Sequence, residues 1–191
     1  MMYNFLPIEW QEVRMNDPKK FEEILVKYLK SYGCGITNYK SIGEVSVFHQ
    51  QAVVAAGVYK FFQGTPTNTS SNMTGNGFQR SQSEHMVIMA IEILTGNNAT
   101  IAATDWTHGA GLAAVKNGYF DLTVNGNVYS KAMPASRANE DLTSAEQGMI
   151  GLTMPIVWPA QTDARLDLTT LTAGAANDNV RVMFHGYGLL S

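Results

Sequence analysis

Between positions 17 and 35 the apolar residues recur at helical spacing. Phe21, Ile24, Leu25, Tyr28, Leu29 and Tyr32 follow the i, i+3, i+4, i+7 rule and predict one apolar stripe. Lys19, Lys20, Glu22, Glu23, Lys27 and Lys30 fill the opposite face, where Glu23 and Lys27 can pair across one turn. Asp17 is placed to cap the N-terminus, Pro18 suits the first helical position because its missing N–H has no partner there, and Gly33 and Gly35 supply a stop. A one-striped helix needs a surface to cover. Its own sheet is the favoured surface, and a neighbouring subunit is the alternative.

Beyond position 40 the pattern becomes that of strands. Glu44–Phe48 and Val53–Phe62 are rich in Val, Phe and Tyr. His85–Leu94 reads HMVIMAIEIL; strict alternation puts Val87, Met89, Ile91 and Ile93 on one face and Met86, Ile88, Ala90 and Leu94 on the other, with Glu92 as the single charge. Apolar residues on both faces imply a strand covered on both sides, or one whose outer face meets a partner. Tyr119–Val124 alternates, Asn125-Gly126 turns, and Val128–Met133 returns, the strongest short-range hairpin signal because both turn positions tolerate positive φ. Met149–Trp158, Ala164–Leu171 and Val180–Leu190 complete the set. Pro155 and Pro159 confine the first of these to an edge or a bend, and Gly186 and Gly188 in the last imply a bulge or a close backbone approach.

About eight strands without intervening helices predict a mainly β protein, an antiparallel β-sandwich with an N-terminal amphipathic helix. Long connections at 64–82, 105–118 and 134–148 fit Greek-key crossings and favour a jelly roll over a meander barrel. The chain divides into an arm and helix over residues 1–40 and a sandwich over 41–191. The uncharged segment Gly64–Gln79 reads as a flexible tip or an arm that orders on contact.

Charge sharpens this picture. Only 15% of the 191 residues are charged, against roughly 25% in an ordinary soluble protein, and residues 41–134 carry nine charges in 94 positions. Asn, Thr, Ser, Gln and Gly replace them, so little like-charge repulsion keeps copies apart and self-association is cheap. A net charge of −3 with no basic stripe argues against nucleic-acid binding. No basic leader precedes an apolar run at the start, and no apolar stretch reaches the length of a membrane span, so a product of the reducing cytoplasm is expected. The Asn-x-Ser/Thr sequons at Asn68, Asn72 and Asn98 then read as polar loops, and the lone Cys34 as a structural residue.

The search for chemistry returns little. Phosphate-loop, zinc-helix, nucleophile-elbow and paired-cysteine motifs do not occur. His49, His85, His108 and His185 are far apart in sequence, although folding could join His85 and His185 in a metal site. Asp105 and His108 form a dyad on paper, but no marked nucleophile accompanies them. Asp163 and Asp167 would stand about 13 Å apart on one strand, beyond the spacing of a glycosidase pair. No catalytic residue and no cofactor is therefore assigned, and the protein is read as a non-enzyme. Trp10, Trp106 and Trp158 can anchor loops; Trp106 and Trp158 are also candidates to face a ligand such as a sugar.

The run HMVIMAIEIL, the hairpin YFDLTVNGNVYSKAMP, the stretch MPIVWPAQTDARLDL and the final VRVMFHGYGLLS together cover about half of the chain. In texture they resemble the single jelly-roll structural proteins of virus particles, especially those of bacteriophages. The resemblance implies a capsid, penton or accessory component of the virion, assembled in the host cytoplasm as a homo-oligomer, a trimer or pentamer, in contact with other virion proteins. On that reading the N-terminal arm lies in a groove of a neighbour through Tyr3, Phe5, Leu6, Ile8 and Trp10. Two alternatives stand beside it: a receptor- or glycan-binding module of a fibre or spike, and a cupin-like metalloenzyme.

Overall fold

The computed structural model describes residues 8–36, 39, 41–73, 77–80, 84–108, 112–139 and 149–190. Two helices, α1 (Ile8–Asn16) and α2 (Pro18–Ser31), precede the strands β1 (Ser41–Ala52), β2 (Gly57–Phe61), β3 (Met86–Asn97) and the short β4 (Thr107–His108). One turn of helix, α3 (Ala113–Lys116), leads into the hairpin β5 (Tyr119–Val124) and β6 (Asn127–Pro134), followed by β7 (Met149–Trp158), β8 (Ala164–Thr170) and β9 (Asp178–Leu190). Among the described residues no helix is long and apolar enough to cross a membrane.

The strands form two antiparallel sheets. One runs β1-β9-β3, with β7 and β4 sharing the far flank of β3; the other runs β2-β8-β5-β6. Strands that follow one another in sequence therefore often lie in opposite sheets, and the first strand pairs with the last along its whole length, from Ser41↔Leu190 to Ala52↔Asn179. The inner faces share one core. Val47, Met86, Ile88, Ile91, Ile93, Val182 and Phe184 from the first sheet meet Phe61, Phe120, Leu122, Leu166 and Leu168 from the second, as expected of a sandwich.

The outer face of the first sheet has its own smaller core. Phe21, Leu25 and Leu29 of α2 pack on Val87, Met89, Val157, Tyr187 and Leu189, so the helix stripe covers its own sheet. The helix starts where Asp17 Oδ1 accepts from the Lys20 N–H at 3.1 Å. Asp17→Ala is expected to cost about 1 kcal/mol, read as a shift in the urea midpoint at unchanged slope.

Strict alternation fails in β3. Its register shifts between Ile88 and Ala90, against both β9 and β7. Against β9, Met89 is the extra residue, and past it the faces exchange. Met86, Ile88, Ile91 and Ile93 point to the sandwich core, while Val87 and Met89 point to α2. The alternation placed Ile91 and Ile93 with Val87 and Met89, and the bulge corrects it. Opposite the bulge sits Gly186, whose missing Cβ would come 1.8 Å from the Val87 carbonyl oxygen, so a side chain there would displace backbone.

The hairpin closes on Asn125 (φ 49°) and Gly126 (φ 75°), the positive-φ pair of a tight β-turn. Pro155 lies in β7, which pairs with β3 alone among the described strands, an edge position that tolerates the lost donor. The connection after β2 does more than turn. Gln50 N–H donates to Ser70 O, Ser71 Oγ to Phe48 O, and Asn72 takes the Phe48 N–H while donating to Ser46 O. The described part of the uncharged 64–79 segment thus satisfies the open edge of β1, which would otherwise be free to pair with another chain.

Candidate functional site

Beyond the end of α2, the outer face of the first sheet carries a polar and aromatic row. Ser46, Phe48 and Gln50 of β1 stand opposite His185, Met183 and Arg181 of β9, and Glu92 of β3 faces Met183 from the other side. His185 reaches diagonally to Glu92, with Nε2 and Oε2 2.7 Å apart. Its other nitrogen, Nδ1, is 2.7 Å from Ser46 Oγ. Three strands thus set a hydroxyl, an imidazole and a carboxylate in a hydrogen-bonded line. Burial grades along it: Glu92 is 4% exposed and His185 7%, whereas Ser46 is open to solvent. Because the carboxylate can only accept, it calls for a proton on Nε2; the neutral imidazole then offers Nδ1 as acceptor to the serine hydroxyl.

The far end of the row is closed by cation–π stacking. The Arg181 guanidinium lies 4.5 Å from the centre of the Phe48 ring and 4.3 Å from that of Trp106, and its Nε donates to Gln50 Oε1 at 2.7 Å. Burial pulls the pKa of Arg181 down, and the negative charge of Glu92 opposes that shift.

Apart from this row, a concavity of about 480 Å³ lies by the β5–β6 turn. Gln63, Gln79, Thr123, Asp163 and Arg165 line it over Phe62 and Phe78, with Gln79 donating to Asp163 at 3.1 Å.

The residues singled out in the sequence fall as follows. Tyr3, Phe5 and Leu6 lie outside the described residues, as do the side chains of Ile8 and His108, and with the latter the Asp105–His108 dyad. Trp10 is half-buried and packs edge-on against Phe21 and Tyr28 of its own chain, at 6.3 and 5.2 Å between centroids. Its helix is tied down by Arg14, which bonds to Tyr187 Oη and pairs with Glu44 at 2.8 Å. Trp106 is half-buried, with Arg181 stacked on its ring. Trp158 cannot face a ligand: it has no exposed surface, and its indole N–H donates to Thr162 O at 2.9 Å. Asp163 holds Gln79, while Asp167 pairs with Arg165 at 3.2 Å.

Among the described side chains, His85 and His185 stay apart. His85 Nδ1 accepts from the Ala160 N–H at 3.0 Å, on the order of 15 Å along the sheet from His185. Among the described residues no three His, Cys, Asp or Glu side chains converge as metal ligands. His49 is packed between Phe61, Phe62 and Phe78, and its Nδ1 accepts from the Phe62 N–H at 2.8 Å. Burial pushes its pKa from 6.5 down to about 4. Below pH 6.5 the unfolded chain takes up a proton that the folded one refuses. The stability present above that pH is therefore lost as pH falls to about 4, by at most about 3 kcal/mol. His49→Asn, which keeps an acceptor for Phe62 but does not titrate, is expected to remove this part of the slope in urea unfolding at pH 4 to 7.

Reading for local motifs missed the Ser46–His185–Glu92 line, since its members lie 46 and 93 positions apart. One trace was present: Glu92 is the single charge in a strand apolar on both faces, and a buried carboxylate requires a partner. No protein-family model matches the chain, and no curated protein matches its sequence.

Proposed function

We propose that the chain is a structural protein of a virus particle, a single jelly-roll unit that assembles with copies of itself and with other particle proteins. The strand order carries this reading. In a jelly roll two successive Greek keys place the first strand beside the last and divide eight strands between two sheets. The orders β1-β9-β3-β7 and β2-β8-β5-β6 follow that scheme, with β4 as a short addition beside β7 on β3. The low charge density and exposed apolar side chains, among them Val58, Val128, Met154 and Leu171, suit a molecule that meets copies of itself. A role of this kind asks no catalysis of the sandwich and places the protein in the virion, with assembly in the host cytoplasm.

Absolute mass by light scattering over a concentration series tests the reading. A discrete trimer, pentamer or larger closed assembly is the expected result. A strict monomer at every concentration would overturn self-assembly as a property of this chain.

The polar cleft beside the β5–β6 turn favours a second reading, a glycan-binding module of a fibre or spike. Its amide, carboxylate and guanidinium groups are of the kind that bind sugar hydroxyls. Binding on a glycan array that is abolished by Asp163→Ala would support it; a blank array would remove it.

A further inference from the structure

We propose that Ser46 is a base-activated nucleophile toward carboxylic esters, with His185 as its general base and Glu92 as the positioning residue that fixes the His185 tautomer. The order and distances carry the inference: Ser46 Oγ to His185 Nδ1 at 2.7 Å, and His185 Nε2 to Glu92 Oε2 at 2.7 Å. With Nε2–H held by Glu92, the neutral ring presents its lone pair to the serine hydroxyl, the arrangement that lowers the cost of attack. The burial gradient fits the same task, for the acid and base lie beneath the surface while the nucleophile is open to solvent.

Two further features support it. Burying a carboxylate against an imidazole in an otherwise apolar strand is more costly than packing a Leu or Met there, so the pair is poorly explained by stability alone. Asn72 also clamps β1 from its edge, accepting from Phe48 N–H and donating to Ser46 O, both at 2.8 Å. The clamp holds the backbone at Ser46 and leaves its hydroxyl to His185, the kind of preorganisation that a nucleophile needs. The next pair along the same face is Phe48 and Met183, which suits an ester with an apolar flank.

The step balances without any other reagent. Oγ attacks the carbonyl carbon as its proton passes to Nδ1. The adduct collapses, the ester C–O bond breaks, and the alcohol leaves with the proton from Nδ1. Water then attacks acyl-Ser46, giving up a proton to Nδ1 that returns to Oγ as the carboxylic acid departs. Glu92 accepts from Nε2–H throughout.

The test treats the full chain with p-nitrophenyl acetate and a fluorophosphonate, locating adducts by peptide mass spectrometry. The expected result is one adduct per chain at Ser46, formed at least tenfold, and up to about 10²–10⁴-fold, more slowly in His185→Gln. Labelling should also slow in Glu92→Gln and recover in part in Glu92→Asp, which keeps a carboxylate to accept from Nε2–H. No adduct at Ser46 in the folded protein would overturn the proposal. So would labelling of His185→Gln at the wild-type rate or, should that variant not fold, wild-type labelling of Ser46 no faster than that of the other exposed serines.

Discussion

Gly186→Ala is expected to destabilise the protein by about 3 kcal/mol, the upper end for overpacking, because the new methyl meets backbone rather than a side chain. Its Cβ would lie 1.8 Å from the Val87 carbonyl oxygen and 2.8 Å from the Val87 carbonyl carbon. Relief would require β3 to move away from β9 at the bulge, where the sandwich core and the helix-covered core exchange faces. Gly188→Ala provides the comparison in the same strand. There the nearest atom is the Val45 Cγ2 methyl at 2.8 Å, the end of a side chain that can shift, so a smaller loss is expected. Urea unfolding of both variants decides the matter. Equal losses would show that no backbone approach is fixed at Gly186.

Trp158→Ala is expected to cost about 3–5 kcal/mol, whereas Trp106→Ala should cost much less. Trp158 is fully buried, edge-on to Phe184 at 6.0 Å and to Phe62 at 6.3 Å, and its N–H bond to Thr162 fixes the corner between β7 and β8. Truncation would leave a cavity where both sheets meet, together with an unpaired carbonyl. Trp158→Phe keeps the packing of one ring and should recover more than half of the loss. Trp106 is half-buried and stacks on Arg181, so its truncation mainly exposes that cation. Comparable losses at the two tryptophans would contradict this division between a core anchor and a surface stack.

Ser46 shows how little local sequence says about the site. Nothing near Ser46 distinguishes it from the other serines of a Ser- and Thr-rich chain; a β1–β9 register placing it opposite His185 does. The same register puts Gln50 beside Arg181 and lets Phe48 and Trp106 enclose the guanidinium. The 64–79 segment is another case. Its composition reads as a tip or an arm, yet Ser70, Ser71 and Asn72 lie along the open edge of β1, because backbone donors and acceptors there lack strand partners.

Local chemistry by itself determined the Asn125-Gly126 hairpin, because few residues accept positive φ twice in succession. It confined the strand carrying Pro155 to an edge or a bend, since proline has no ladder donor. It also required cover for both faces of β3, from the chain itself or from a partner, since a strand apolar on both sides cannot remain in water. Only the tertiary structure decided which face is which. A one-residue bulge at Met89 reverses every side chain beyond it, and the space left by Gly186 is what admits the bulge. The pairing of Ser46, His185 and Glu92 was likewise a tertiary matter, for residues so far apart in the chain meet only when non-local strands fall into register.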